Sequence, residues 1–337
     1  MSLATPEVLT VLERVPEGLF STPAERLATV LPGPSLLRLE GQRSPALFFS
    51  VLLHGNETSG WDALCQLMQS KQPLERDIVL FIGNVSAAAQ GVRTLPGQLD
   101  FNRLWRGEHQ NRALVDAVLR ELAAQPLFAA VDFHNNTGRN PHYTVLTQVT
   151  PTSLALASLF SDKAVLVEEP DTVLTRAVQD LCPATTVEVG PISDPASTER
   201  ARQLMEAYLT LTEIPTTPET RVRLHRALAR IHVREQVEFA FADGDAADVM
   251  HDLTLTGGME AVNFHPLPAG TEFGVARRPL HEVLTVVDPA HRDVTPQFLE
   301  IRDGHISLKR PVIPAMYTTD SLVIRQDCLC YLMEELA

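Results

Sequence analysis

Ser50-Val51-Leu52-Leu53-His54-Gly55-Asn56-Glu57-Thr58 is the stretch whose reading decides the fold. It closes an apolar run that begins at Ala46. It opens a segment in which Trp61, Ala63, Leu64, Leu67 and Met68 recur at helical spacing. That change of period predicts a strand over Ala46–Leu53, a tight turn, and a helix from about Thr58 to Ser70. His54 and Glu57 then fall where the carboxyl end of the strand meets the start of the helix, and α/β sheets gather their polar chemistry at such ends. An imidazole and a carboxylate three residues apart supply N and O donors, and zinc accepts both. By itself H-x-x-E is usually a polar loop capping a helix, so its weight depends on partners elsewhere in the chain.

Outward from this stretch the same alternation recurs. Asp77–Asn84 reads as a second buried strand, and Phe128–Asn135 as a third, ending in His134. Between them a helix spans about Asn111 to Ala124, with Leu114, Val115, Val118, Leu119 and Leu122 on one face. Strand (Tyr143–Gln148), helix (Ser153–Ser161), strand (Ala164–Val167), helix (Thr172–Leu181), strand (Ala184–Pro191) and helix (Ser197–Leu211) follow. Continuous apolar strands alternating with helices predict an α/β fold: a mixed, mostly parallel sheet flanked by helices. Glu213–Glu219 has linker composition. Beyond it short β-like runs (Ala229–Glu235, Thr254–Phe264, Phe273–Ala276, Leu284–Val287, His305–Leu308, Ser321–Ile324) are separated by Gly, Pro and Asp turns. The expected domains are therefore 1–214 and a smaller β-rich domain at 215–337.

Composition narrows the function classes. The 337 residues are 45% hydrophobic and 21% charged, as in a globular protein. No apolar run reaches the roughly 20 residues needed to span a bilayer. Residues 1–7 lack the basic and apolar regions of a signal peptide. Cys65, Cys182, Cys328 and Cys330 are too few for a disulfide framework, and the expected location is a reducing cytoplasm. Cys328-Leu329-Cys330 reads as core. A net charge of −14 without a basic block argues against nucleic acid or an anionic membrane as partner. An anionic ligand would then need a few arginines placed at the site.

Three strand ends carry isolated polar residues: His54 with Glu57, His134, and Glu188. Two imidazoles and one carboxylate leave a zinc position for water, as a hydrolytic site requires. A further carboxylate in an apolar strand, where its pKa rises, suits a general base that later acts as acid. Asp132 lies two residues before His134, on the same strand face, and can orient it as an acceptor.

At this point the chain resembles a family. His54-Gly55-Asn56-Glu57, Asp100-Phe101-Asn102-Arg103, Asp132-Phe133-His134-Asn135 and Val187-Glu188-Val189-Gly190-Pro191 resemble, in order, the motifs of the succinylglutamate desuccinylases and aspartoacylases. That family is a branch of the carboxypeptidase A-like zinc hydrolases. The resemblance covers about residues 46 to 215 and extends only loosely beyond. It implies one zinc per chain on His54, Glu57 and His134, with Glu188 activating water and protonating the leaving amine. It implies Asn102 and Arg103 as the clamp for an α-carboxylate, a role that a planar guanidinium suits. Arg93 matches an arginine that polarises the scissile carbonyl, Arg176 one that reads a second substrate carboxylate, and Tyr317 a tyrosine from the C-terminal domain. The chain departs from the pattern at Thr172, where a tyrosine is expected, and before Tyr317, where Asn-Glu is absent.

The resulting expectation is a zinc-dependent amidohydrolase for a small anionic N-acyl amino acid, with N-succinylglutamate first. An aspartoacylase-like deacylase with another acyl group and a carboxypeptidase-type peptidase are the nearest rivals. A non-catalytic binding protein is disfavoured because both histidines, both glutamates and the Asn-Arg pair are present. A serine hydrolase is disfavoured because no G-x-S-x-G occurs.

Overall fold

The computed structural model describes residues 7–192, 194–242 and 251–336. Residues 1–6, on which the reading of the N-terminus rests, lie outside the described residues. The chain divides into two compact units, Met1–Asn135 with His142–Val222, and Asn136–Pro141 with Arg223–Ala337.

The first unit is built on β1 (Thr10–Leu12), β2 (Ser35–Leu39), β3 (Ala46–Val51), β4 (Ile78–Ile82), β5 (Leu127–Asn136), β6 (Tyr143–Leu146), β7 (Lys163–Leu166) and β8 (Ala184–Pro191). Their spatial order is β1-β2-β4-β3-β5-β8-β6-β7. β3 runs parallel to both β4 and β5, β1 to β2, and β6 to β7. β2 is antiparallel to β4, and β6 to β8. The helices are α1 (Ser59–Gln69), α2 (Val85–Ala88), α3 (Arg112–Ala123), α4 (Pro151–Ser158), α5 (Leu174–Val178) and α6 (Pro195–Thr210). This is the expected mixed, mostly parallel sheet flanked by helices.

Every residue of β3, β4 and β5 is buried, because both faces are covered. Alternation assigns the faces. Leu47, Phe49, Val51, Val131, Phe133, Val187 and Val189 join a core with residues of α1 and α6. Phe48, Val79, Phe81 and Ala130 join an opposite core with Leu114, Val115, Val118 and Leu122 of α3 and Leu174 and Val178 of α5. Each fully buried valine, leucine or phenylalanine among them contributes about 1.5–3 kcal/mol. α1 approaches the sheet closely at Gly60, where a Cβ would lie 2.7 Å from that of Phe133. Among the described residues no helix is long and apolar enough to cross a membrane.

The second unit is β-rich, as expected. Its strands are β9 (Arg223–Val233), β10 (Phe239–Ala242), β11 (Leu253–Thr256), β12 (Glu272–Ala276), β13 (Leu284–Val287), β14 (Leu299–Arg302), β15 (His305–Leu308), β16 (Ile313–Ala315) and β17 (Cys330–Glu335). β9 pairs antiparallel with β13 and β17, and β17 with β16. A separate sheet has the order β10-β11-β12-β15-β14. Cys328 and Cys330 are buried, in keeping with their reading as core. Two local expectations are corrected. The β-like run Thr254–Phe264 is strand only to Thr256, and Met259–Val262 forms a 3-10 turn. Ser321–Ile324 is not a strand but lies in a helix, Ser321–Gln326. There Asp320 accepts from the amides of Leu322 and Val323, so capping outweighs the β-branched composition.

Candidate metal centre and active site

β3 stops at Val51, and the next residue, Leu52, takes a left-handed backbone with φ 58°. A buried leucine in that region is strained, and the surroundings hold it there. The Leu52 carbonyl accepts from the Asn84 amide at 2.6 Å, and the Gly83 amide donates to the Val51 carbonyl at 3.0 Å. The chain therefore bends at the carboxyl edge shared by β3 and β4. At Gly55 a Cβ would lie 2.2 Å from the amide nitrogen of Ala88, so only glycine lets the turn rest on α2. The Gly55 amide donates to the Arg93 carbonyl at 3.1 Å and draws the loop carrying Arg93 against the turn. Glu57 precedes α1, whose first amide, Ser59 N–H, donates to Asn135 Oδ1 at 3.2 Å.

These bends bring together residues far apart in sequence. His54 Nδ1 lies 2.8 Å from Glu57 Oε1, and His134 Nδ1 lies 2.7 Å from Glu57 Oε2. The three side chains are buried, and one donor atom from each falls within 4.8 Å of the others. The opposite ring nitrogens face carboxylates: His54 Nε2 lies 2.9 Å from Asp100 Oδ1, and His134 Nε2 lies 2.9 Å from Asp132 Oδ2. With zinc bound, those carboxylates would keep the proton on Nε2 and leave both Nδ1 lone pairs for the ion. Two imidazoles and a carboxylate, each imidazole backed by an outer carboxylate, are the donor set of a hydrolytic zinc site, and the residues fit that ion.

Electrostatics at the cluster are strongly perturbed. Burial raises the Glu57 pKa, but the two imidazoles outweigh it and hold the carboxylate well below its usual range. Burial disfavours charge on His134, yet Asp132 and Glu57 raise its pKa well above the ordinary value. His54 is raised as well: burial and Arg93 oppose its charge, and Glu57 and Asp100 prevail.

Asp100 does more than back His54. Its Oδ1 also caps the 3-10 turn Phe101–Arg103, accepting from the Asn102 amide at 2.7 Å. Its Oδ2 accepts from the Arg93 guanidinium at 3.0 Å, and Arg93 reaches Glu57 Oε1 at 3.4 Å. The capped turn carries Asn102, with Nδ2 3.4 Å from His134 Nε2 and Oδ1 accepting from the Leu174 amide at 3.2 Å. The Arg103 guanidinium donates to the Asn102 carbonyl at 2.9 Å. The sequence showed Asp100 only as the first letter of a motif. Strand alternation, which singled out Asp132, carries no information across a loop. Replacing Asp100 or Asp132 by Asn should weaken zinc binding about 10–100-fold, the scale set by outer-shell carboxylates. Chelator competition measures it, and wild-type affinity in both variants would contradict this role.

Glu188 lies on β8 opposite Tyr143 of β6. Its neighbours Val187 and Val189 enter the core on the α1/α6 side, so Glu188 faces the other way, as Asp132 and His134 do. Its Oε2 is enclosed and has no hydrogen-bond partner among the described residues. Burial pushes its pKa up to about 7, with Glu57 adding to the rise and His134, His54 and Arg93 opposing it. An unbonded carboxyl that titrates near neutrality can take up and release a proton during a reaction.

The two remaining expected residues make contacts of their own. The Arg176 guanidinium donates to the Thr147 carbonyl at 3.0 Å, and its Nε is enclosed without a hydrogen-bond partner among the described residues. Tyr317 belongs to the second unit, fully buried in that unit's core with its ring centroid 5.9 Å from that of Phe273.

Comparison with known proteins bears on this arrangement. A family model described as "Succinylglutamate desuccinylase/Aspartoacylase catalytic domain" matches residues 44–214, just over half of the chain. No curated protein sequence matches. Among solved structures, succinylglutamate desuccinylase from Vibrio parahaemolyticus is similar with a TM-score of 0.58 at 14% identity, over 90% of this chain and 86% of that one. A succinylglutamate desuccinylase/aspartoacylase from Rhodobacter sphaeroides gives 0.54 at 14% identity, over 89% and 88%. Murine aminoacylase 3 gives 0.51 at 16% identity, over 88% and 97%. At such identities the likeness is one of fold.

Proposed function

This chain belongs to the succinylglutamate desuccinylase/aspartoacylase family, and on that premise we propose that it is a zinc-dependent amidohydrolase that cleaves N-acyl amino acids, with N-succinylglutamate as the first candidate. The observation that carries the reading is the convergence of His54 Nδ1, His134 Nδ1 and the Glu57 carboxylate beside the unbonded carboxyl of Glu188. When bound, one zinc per chain supplies the Lewis acidity that lets water lose its proton near neutral pH and polarises the scissile carbonyl.

The side chains divide the remaining work. Asn102 and Arg103 hold the α-carboxylate of the amino-acid half, the amide as a directional donor and the guanidinium as a fork. Arg93, half-buried beside Glu57 and Asp100, is the guanidinium that stabilises negative charge developing on the carbonyl oxygen. Glu188 accepts the proton that water gives up as oxygen adds to the amide carbon. It returns that proton to the nitrogen as the C–N bond breaks, leaving a free amine and a carboxylic acid that ionises to water. Arg176 is assigned to an acyl-group carboxylate and Tyr317 to a contact from the second domain. We place the catalytic function in residues 1–214 with the β-rich domain at 215–337, and the protein in a reducing cytoplasm.

The experiment is a product-release assay over a panel of N-acyl amino acids and short C-terminal peptides, with elemental analysis of the same protein. One zinc per chain and turnover of an N-acyl amino acid support the reading. Because Thr172 replaces an expected tyrosine, the panel includes acetyl and other neutral acyl groups. Full activity in metal-free protein would overturn the mechanism, and peptide cleavage without deacylation would favour the carboxypeptidase reading. Arg103→Ala should raise KM at least about tenfold for substrates with a free α-carboxylate and leave α-amides of the same compounds unchanged, which steady-state kinetics on both series will test.

A further inference from the structure

We propose that Asn135 is the residue that positions Glu188, an inference that rests on the reading of Glu188 as proton shuttle. Asn135 follows His134 on β5, points to the opposite face of the strand, and is buried. Its Oδ1 accepts from the Ser59 amide at the start of α1. Its Nδ2 has two hydrogens and three acceptors: Ser59 Oγ at 2.9 Å, the Gly190 carbonyl at 2.9 Å and the Pro191 carbonyl at 3.2 Å. Its own backbone N–H donates to Glu57 Oε2 at 3.2 Å. One residue thus ties the turn carrying Glu57, the strand carrying His134, and the end of the strand carrying Glu188.

The need for such a tie follows from Glu188 itself. Among the described residues its enclosed Oε2 has no hydrogen-bond partner, so that oxygen does nothing to orient the carboxyl group. The position of the carboxyl must then come from the backbone of β8. Immediately after Glu188 three successive carbonyls are held by side-chain donors. Val189 is held by Arg200 at 3.2 Å, and Gly190 and Pro191 by Asn135. Catalytic geometry tolerates little displacement: a shift near 1 Å costs about a hundredfold in rate.

The test compares zinc-loaded Asn135→Asp, Asn135→Ala and Ser59→Ala enzymes on an N-acyl amino acid that the wild type turns over. Asn135→Asp keeps the shape and the acceptor for the Ser59 amide, but sets an oxygen against the Gly190 and Pro191 carbonyls. The expected result is a kcat about 10–100-fold lower with KM within about threefold of wild type. Ser59→Ala should retain kcat within about twofold, since it removes only the Ser59 Oγ contact and leaves the Ser59 amide and both β8 carbonyls bonded to Asn135. Amide hydrogen exchange at residues 188–190 should quicken in Asn135→Asp. In an E188Q background Asn135→Asp should cost little more, because both substitutions act through one carboxyl. Full kcat in Asn135→Asp overturns the inference, as does an equal fractional loss in the E188Q background or a loss confined to KM. Should Asn135→Ala fail to fold, Asn135→Asp decides alone. An active E188Q enzyme would instead refute the proton-shuttle reading, so the two failures are distinguishable.

Discussion

Glu188→Gln loses turnover by about 10²–10⁴-fold, the contribution of a positioned general base, while zinc remains bound at wild-type stoichiometry. The substitution keeps the shape of the side chain and removes only its capacity to exchange a proton. In the wild type, burial lifts the carboxyl to about 7, so the base is lost as pH falls through neutrality and kcat/KM declines on an acidic limb near that value. The same shift has a thermodynamic side. A carboxyl whose pKa rises from 4.5 to about 7 on folding keeps a proton that the unfolded chain has released. Between those values the unfolded state binds fewer protons than the native state, so stability falls as pH rises, and the full cost is present above about 7. That cost is at most about 3 kcal/mol. Glu188→Gln abolishes it, so the inactive variant should melt above the wild type at pH 8 and converge with it near pH 4. Thermal melts of both proteins after chelation check this. A lower melting temperature for the variant at pH 8 would contradict the account of Glu188 as a carboxyl held at a folding cost.

Glu57→Gln is expected to lose zinc and activity together. The amide occupies the same volume, accepting from one imidazole and donating to the other, so the fold persists. It carries no charge, however, and an amide oxygen is a poorer ligand than a carboxylate. Affinity should fall by more than about a hundredfold, beyond what loss of an outer carboxylate produces. Chelator competition with circular dichroism on the same sample measures both halves of the expectation. A folded variant that binds zinc as tightly as the wild type would remove Glu57 from the ligand set.

Much of this was legible from residue order because it depends on period. Apolar runs reported β3, β4, β5 and β8, and two-residue alternation put Asp132 and His134 on one face. Separate polar interruptions at His54, His134 and Glu188 told of a shared edge because strands in such a sheet end together. Interactions made across loops were not legible. Asp100 reaches His54, Arg93 and the Asn102 amide only because the loop after α2 folds back on the Gly55 turn. The role of Asn135 depends on where β8 ends and α1 begins, which neither segment states alone. In the second unit, Ser321–Ile324 reads as strand by pattern but is helix because one capping carboxylate decides between the two.

The two helical layers of the first unit do different jobs. Val187, Val189, Val131 and Phe133 pack toward α1 and α6, whereas the alternate positions Asp132, His134 and Glu188 look toward the side of α3 and α5. The loops that bring Asn102, Arg103 and the Leu174 amide belong to this second side. On the proposed reading, substrate-facing positions vary on the α3/α5 side, while on the α1/α6 side valines and a phenylalanine pack and Asn135 ties the strand ends. Length is the exception. A single inserted residue within β5 would exchange the sides, turning His134 inward among valines and presenting a phenylalanine to the ion.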